Sequence, residues 1–259
     1  MTPRPDYGES TYRGSGKLQG KSAIITGGDS GIGRAVALAL VGAGYRVVLA
    51  GRRLDMLHQV AQEGGERCVP IVADVSTQTG GEAFVAAAIE ELGSVDILVT
   101  NAGGPPPGNF ASTPPERYAT ALELNLLSVV GMCQAAVPAM RARGWGRVVA
   151  ITSYTVRQPH PNLILSNTAR AGVTGFLKSL AREIAADGVT VNSVQPGIHA
   201  TDRLKALGPL DAMAAAIPAG FIGDPDDFGA VVAFLCSNQA RFVTGSHLAI
   251  DGGEVAGLL

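Results

Sequence analysis

The 259-residue chain carries 20 basic against 22 acidic side chains, for a net charge of −2 and a pI near 6.1. That near-balance excludes the basic field that nucleic acid or an anionic membrane would need. Hydrophobic residues make up 46% of the chain and charged residues 16%, which excludes a disordered polymer and suits one large α/β domain.

Met1 to about Gly20 is polar and rich in Gly, Pro and Tyr, and reads as an irregular arm over residues 1–20, ahead of a domain over 21–259. Beyond it, short apolar runs predict buried strands at Ser22–Thr26, Arg46–Ala50, Cys68–Val72, Asp96–Val99, Arg147–Thr152, Val189–Gln195 and His247–Ile250. Between them, helices are predicted at Ile32–Ala43, Leu54–Gln62, Gly81–Leu92, Pro115–Arg143, Asn162–Asp187 and Pro225–Ser237, with Gly44, Gly93 and Gly188 as stops. Regular strand–helix alternation predicts an α/β fold: a doubly wound parallel sheet of Rossmann type in a single domain. Apolar runs end before bilayer length, as Ala35–Tyr45 does at Arg46, and no charged-then-apolar leader opens the chain. The expected compartment is the cytoplasm. Cys68, Cys133 and Cys236 form no Cys-x-x-Cys pair and read as buried free thiols; His58, His160, His199 and His247 lack ligand spacing, so no metal site is expected.

The first strand runs into Thr26-Gly27-Gly28-Asp29-Ser30-Gly31-Ile32-Gly33, at the start of the first helix. Glycines there let backbone amides approach a pyrophosphate, and the helix N-terminus adds partial positive charge. The spacing Thr-Gly-x-x-x-Gly-Ile-Gly resembles the fingerprint of the short-chain dehydrogenase/reductase family, and further marks follow in order: Asp74-Val75, Asn101-Ala102-Gly103, Asn125, Ser153, Pro196-Gly197-Ile198 with Thr201, and Asp251-Gly252-Gly253. The resemblance covers roughly residues 18–253. It implies a nicotinamide dinucleotide held by Gly27, Ser30, Gly31, Ile32 and Gly33 at the phosphates, and by Asp74 and Val75 at the adenine. Asn101, Ala102, Gly103, Arg170, Pro196, Gly197, Ile198 and Thr201 would complete the site. It also implies a mobile substrate lid over about residues 200–222 and a homo-oligomer, tetramer or dimer, acting on a small-molecule substrate.

The second strand ends in Gly51-Arg52-Arg53, with no acid between Arg34 and Leu54. A carboxylate there would bind ribose hydroxyls, whereas guanidinium pairs with a 2′-phosphate. Arg52 and Arg53 therefore favour NADP (NADPH) over NAD.

The same family resemblance demands a Tyr thirteen residues after Ser153 and a Lys four residues later. Ser166 and Arg170 stand there, and no Tyr-x-x-x-Lys occurs anywhere in the chain. A Ser hydroxyl is far less acidic than a phenol, and Arg does not deprotonate. Ser153 and Asn125 keep their motif contexts, Ser166 and Arg170 occupy the altered pair, and Tyr154, His199 and His160 are candidate replacement acids. The expected activity is NADP(H)-dependent oxidoreduction of a carbonyl/hydroxyl pair with a non-standard proton donor. An inactive NADP-binding protein, or a lyase or isomerase on the same scaffold, is the alternative.

Overall fold

A computed structural model describes residues 20–205 and 210–258. Apolar runs form seven strands: β1 (Ser22–Thr26), β2 (Arg46–Gly51), β3 (Cys68–Val72), β4 (Ile97–Thr100), β5 (Gly146–Ile151), β6 (Val189–Pro196) and β7 (His247–Ile250). They make one sheet in the order β3-β2-β1-β4-β5-β6-β7, with every pairing parallel. Strand bounds differ from the sequence expectation by no more than a residue at either end. The expected arm over 1–20 lies, apart from Gly20, outside the described residues.

Around the sheet run α1 (Gly31–Gly42), α2 (Leu54–Gly64), α3 (Gln78–Leu92), α4 (Glu116–Leu122), α5 (Ser128–Ala142), α6 (Ile164–Ile184), α7 (Asp202–Lys205), α8 (Leu210–Ala216) and α9 (Pro225–Leu235). Strand alternation splits the core in two. Ile24, Val48, Leu98 and Val148 face Phe84, Met132 and Leu177 on α3, α5 and α6, while Ile25, Leu49 and Val99 face Val36, Leu40 and Phe228 on α1 and α9. Both sheet faces are covered, which is why the strands read as unbroken apolar runs rather than alternating ones.

The helix expected over Pro115–Arg143 is continuous, but it carries a π-helical segment at Glu123–Leu127, where the Ser128 N–H reaches back five residues to Glu123 O. Glu116–Ala142 is long and apolar enough, by length and composition, to cross a bilayer. Here its apolar stripe is spent on the core, along α3. All three cysteines are buried free thiols, and burial pushes Cys133 and Cys236 up to about 12.

Strand order reverses between β1 and β4, since β1 pairs with β2 on one side and with β4 on the other. The C-terminal ends of these two strands therefore border a crevice, the usual ligand position in an open α/β sheet.

Candidate active site

At that crevice the chain leaves β1 through Gly27 (φ +60) and enters α1 at Gly31 (φ +53), a left-handed conformation that side-chain-bearing residues avoid. Ser30, the residue before α1, makes no side-chain cap, so the first-turn N–H groups of α1 are left for another acceptor. A Cβ on Gly31 would sit 3.1 Å from Thr201 Cγ2, and one on Gly33 would collide with the Gly27 carbonyl. Asn101 ties the loop to β4: its N–H donates to Thr26 Oγ1 at 2.8 Å, Thr26 Oγ1 donates to Asn101 O at 2.8 Å, and Asn101 Nδ2 donates to Gly27 O at 3.3 Å. The glycine loop, Asn101 and Thr201 are thus brought together.

Arg170 is buried on α6, one turn after buried Ser166. Its Nη1 donates to Ile151 O at 3.1 Å and to Thr152 O at 2.6 Å, and its Nη2 donates to Ala102 O at 3.1 Å. A guanidinium can reach three carbonyls at the ends of two strands because its donors diverge in a plane; a Lys ammonium could not span them. Arg170, Thr152, Ala102, Asn101, Val75 and Asn125 line a cavity of about 20 Å³. Asn125 lies within the π-helical segment; its Nδ2 donates to Gly103 O at 3.4 Å, and its buried Oδ1 has no partner among the described residues.

Ser153, just past β5, accepts from the Thr155 N–H at 3.2 Å and the Thr155 hydroxyl at 3.0 Å. With two bonds accepted, its own hydroxyl proton remains to be donated. Gln195, near the end of β6, is fully buried with neither amide atom partnered among the described residues.

Two candidate acids, Tyr154 and His199, are not among the residues that line this cavity. Tyr154 is half-buried, and its phenol is pushed up to about 12 by burial and then by the carboxylates Glu254 and Asp251 in the segment after β7. His199 shares a hydrogen bond with Gly197 O at 3.2 Å and stacks edge-on against Phe228 of α9 at 5.1 Å. A Cβ on Gly223 would touch its ring at 2.9 Å, and burial holds its pKa below the ordinary imidazole value. This is a packed, neutral histidine on the α9 side. His160 lies exposed in the loop before α6, accepting from the Asn162 N–H at 3.2 Å.

At the candidate nucleotide end, Asp74 Oδ1 accepts from the Ser76 N–H at 3.0 Å; the Ser76 hydroxyl first and then this backbone contact, helped by the Arg52 charge, lower the Asp74 pKa. Arg52 is exposed. Arg53 is held by Asp29 of the glycine loop, Nε to Oδ2 at 2.8 Å, and by Ser30 Oγ at 2.8 Å. Along β2 no acid stands near Arg52; Asp29 comes instead from the loop after β1 to meet Arg53. Pro196, Gly197 and Ile198 close β6; a Cβ on Gly197 would lie 2.7 Å from Asp251 Cα, so this turn is packed against the Asp-Gly-Gly segment. Of the expected lid, residues 206–209 lie outside the described residues; Ile217 is buried and Phe221 is exposed.

Comparison with known proteins places this arrangement in context. A family model described as Enoyl-(Acyl carrier protein) reductase matches residues 27–254. The chain is 35% identical over 238 residues to the 3-oxoacyl-[acyl-carrier-protein] reductase FabG of Vibrio cholerae, covering 91% of this chain and 98% of that one. Among solved structures, 3-ketoacyl-(acyl-carrier-protein) reductase from Brucella melitensis, complexed with NADH, superposes with a TM-score of 0.85 at 33% identity, over 92% of this chain and 99% of that one. L-Sorbose reductase from Gluconobacter frateurii, complexed with NADPH and L-sorbose, gives 0.87 at 31% identity, over 93% and 98%. With the parallel sheet, the glycine loop at its switch point and this coverage together, the chain belongs to the short-chain dehydrogenase/reductase family and is an oxidoreductase.

Proposed function

We propose that the chain binds NADP(H) and interconverts a carbonyl and a hydroxyl on a small-molecule substrate, without the family's Tyr–Lys pair. The observation that carries the cofactor reading is the cradle at Gly31: an uncapped α1 N-terminus faces Thr201 across a gap that one added Cβ would fill. Backbone amides there suit a pyrophosphate. When bound, the nicotinamide supplies or takes the hydride. Thr201, Asn101, Ala102, Gly103 and the Pro196–Ile198 turn would hold it, Asp74 and Val75 would border the adenine, and Arg52 favours the 2′-phosphate.

Ser153 is the residue placed to polarise a substrate oxygen, since its proton is uncommitted by the two bonds it accepts. Arg170 keeps a positive charge beneath the site while holding the ends of β4 and β5 in register. Tyr154, whose phenol burial pushes up to about 12, is a poorer donor than a free phenol, and His199 is packed against Phe228. The proton then comes from water, with the Ser166 hydroxyl as relay. The substrates named for the relatives, 3-oxoacyl thioesters and a ketose, set the first panel to try. A homo-oligomer working in the cytoplasm completes the reading.

The test is NADPH oxidation by the full chain across a carbonyl panel, with Ser153→Ala alongside. Turnover that falls by about 100-fold or more in the variant supports the reading. Tight NADPH binding without turnover favours the silent nucleotide-binding alternative, which the missing Tyr keeps in view. Substrate conversion with no change in nicotinamide redox state favours the lyase or isomerase.

A further inference from the structure

Asp29 is 8% exposed, although it sits in a loop at the edge of the sheet. Its carboxyl is pressed against the end of β2, where a Cβ on Gly51 would lie 2.9 Å from Asp29 Cγ. The partner, Arg53, keeps about half of its side-chain surface in solvent, 54% against 12% for Asp29. A buried acid therefore holds an exposed base. A cleft of about 340 Å³ opens from Asp29, Ser30 and Gly31 along α1 toward Met56 and Gln59 of α2. The arginine that lines this cleft, Arg34, is already paired with Glu63.

Two kinds of nucleotide would meet this pair differently. A ribose 2′-hydroxyl can donate to a carboxylate. A 2′-phosphate carries up to about two negative charges near neutral pH, so it is repelled by Asp29 and attracted by guanidinium. To reach a phosphate, Arg53 must give up a charge-assisted bond to Asp29 that raises its own pKa. Arg52, which is exposed, carries the attraction for the phosphate.

We propose that Asp29 is a cofactor-selectivity residue, which by engaging Arg53 and facing the ribose holds down the preference for NADPH over NADH. This rests on the nicotinamide dinucleotide reading above. The experiment measures dissociation constants of the full chain for NADPH and for NADH, at one ionic strength, in the unmodified protein, Asp29→Asn and Arg53→Ala. Asp29→Asn keeps the side-chain shape and removes the charge; it should raise the NADPH-to-NADH affinity ratio by about 10-fold. Arg53→Ala, at an exposed position that should not disturb folding, should lower the same ratio. A ratio within about twofold of the unmodified protein in Asp29→Asn, with native circular dichroism, overturns the proposal. If Asp29→Asn does not fold, an unchanged ratio in Arg53→Ala overturns it instead. An unmodified protein that binds neither nucleotide would overturn the dinucleotide reading itself, an outcome separate from an unchanged ratio.

Discussion

Arg170 shows how a single substitution changes what a position does. Where relatives of this family are expected to carry Lys, the guanidinium here spends its donors on Ile151 O, Thr152 O and Ala102 O. Those carbonyls lie at the ends of β5 and β4, so the side chain fastens together the two strands that carry Ser153 and Asn101. Arg170→Lys should therefore cost stability, by about 2–4 kcal/mol in denaturant unfolding, because an ammonium cannot satisfy all three acceptors and leaves buried carbonyls without donors. An unchanged unfolding midpoint would show that the contacts contribute nothing net. Simply restoring the family pair is then not a neutral repair. Ser166→Tyr with Arg170→Lys reintroduces the acid while removing the fastening.

At the scale of elements, the segment after β6 is tied to α9 through His199, which sits between Gly223 and Phe228 and shares a bond with Gly197 O. Burial lowers its pKa, and burial also lowers that of His247 on β7. The native protein thus binds these protons less readily than the unfolded chain, so stability is intact above about pH 6.5 and falls as the pH drops below that value. His199→Leu, which cannot take up a proton in either state, should flatten that fall; urea midpoints at pH 7.5 and 5.5 measure it, and equal slopes for the two proteins would remove His199 from the account. The strands and main helices were legible because burial on both sheet faces demands continuous apolar runs, and the glycine loop because its spacing is dictated by phosphate approach. The π-helical turn at Glu123–Leu127 was not, since Glu-Leu-Asn-Leu-Leu has the composition of any helix. Asp29 was not, because its meeting with Arg53 depends on how two loops cross at the sheet edge. The surroundings of His199 and Tyr154 were not legible either, because proximity in the chain to Gly197 and Ser153 does not fix which way a side chain leaves a turn.

For the whole molecule, the candidate site residues come from segments spread between Thr26 and Thr201 at the C-terminal ends of the strands, above two apolar core layers. The scaffold is that of an oxidoreductase, and we propose that it moves hydride with Ser153 as the polarising group and without the family's tyrosine. The direct measurement is to supply NADPH deuterated at the transferred position of the nicotinamide, with a carbonyl panel that includes 3-oxoacyl thioesters and ketoses, and to weigh the products by mass spectrometry. The account predicts an alcohol carrying deuterium at the former carbonyl carbon, formed by the unmodified protein and suppressed about 100-fold or more in Ser153→Ala. Tight binding of the labelled nucleotide with no deuterated alcohol from any carbonyl in the panel would contradict it.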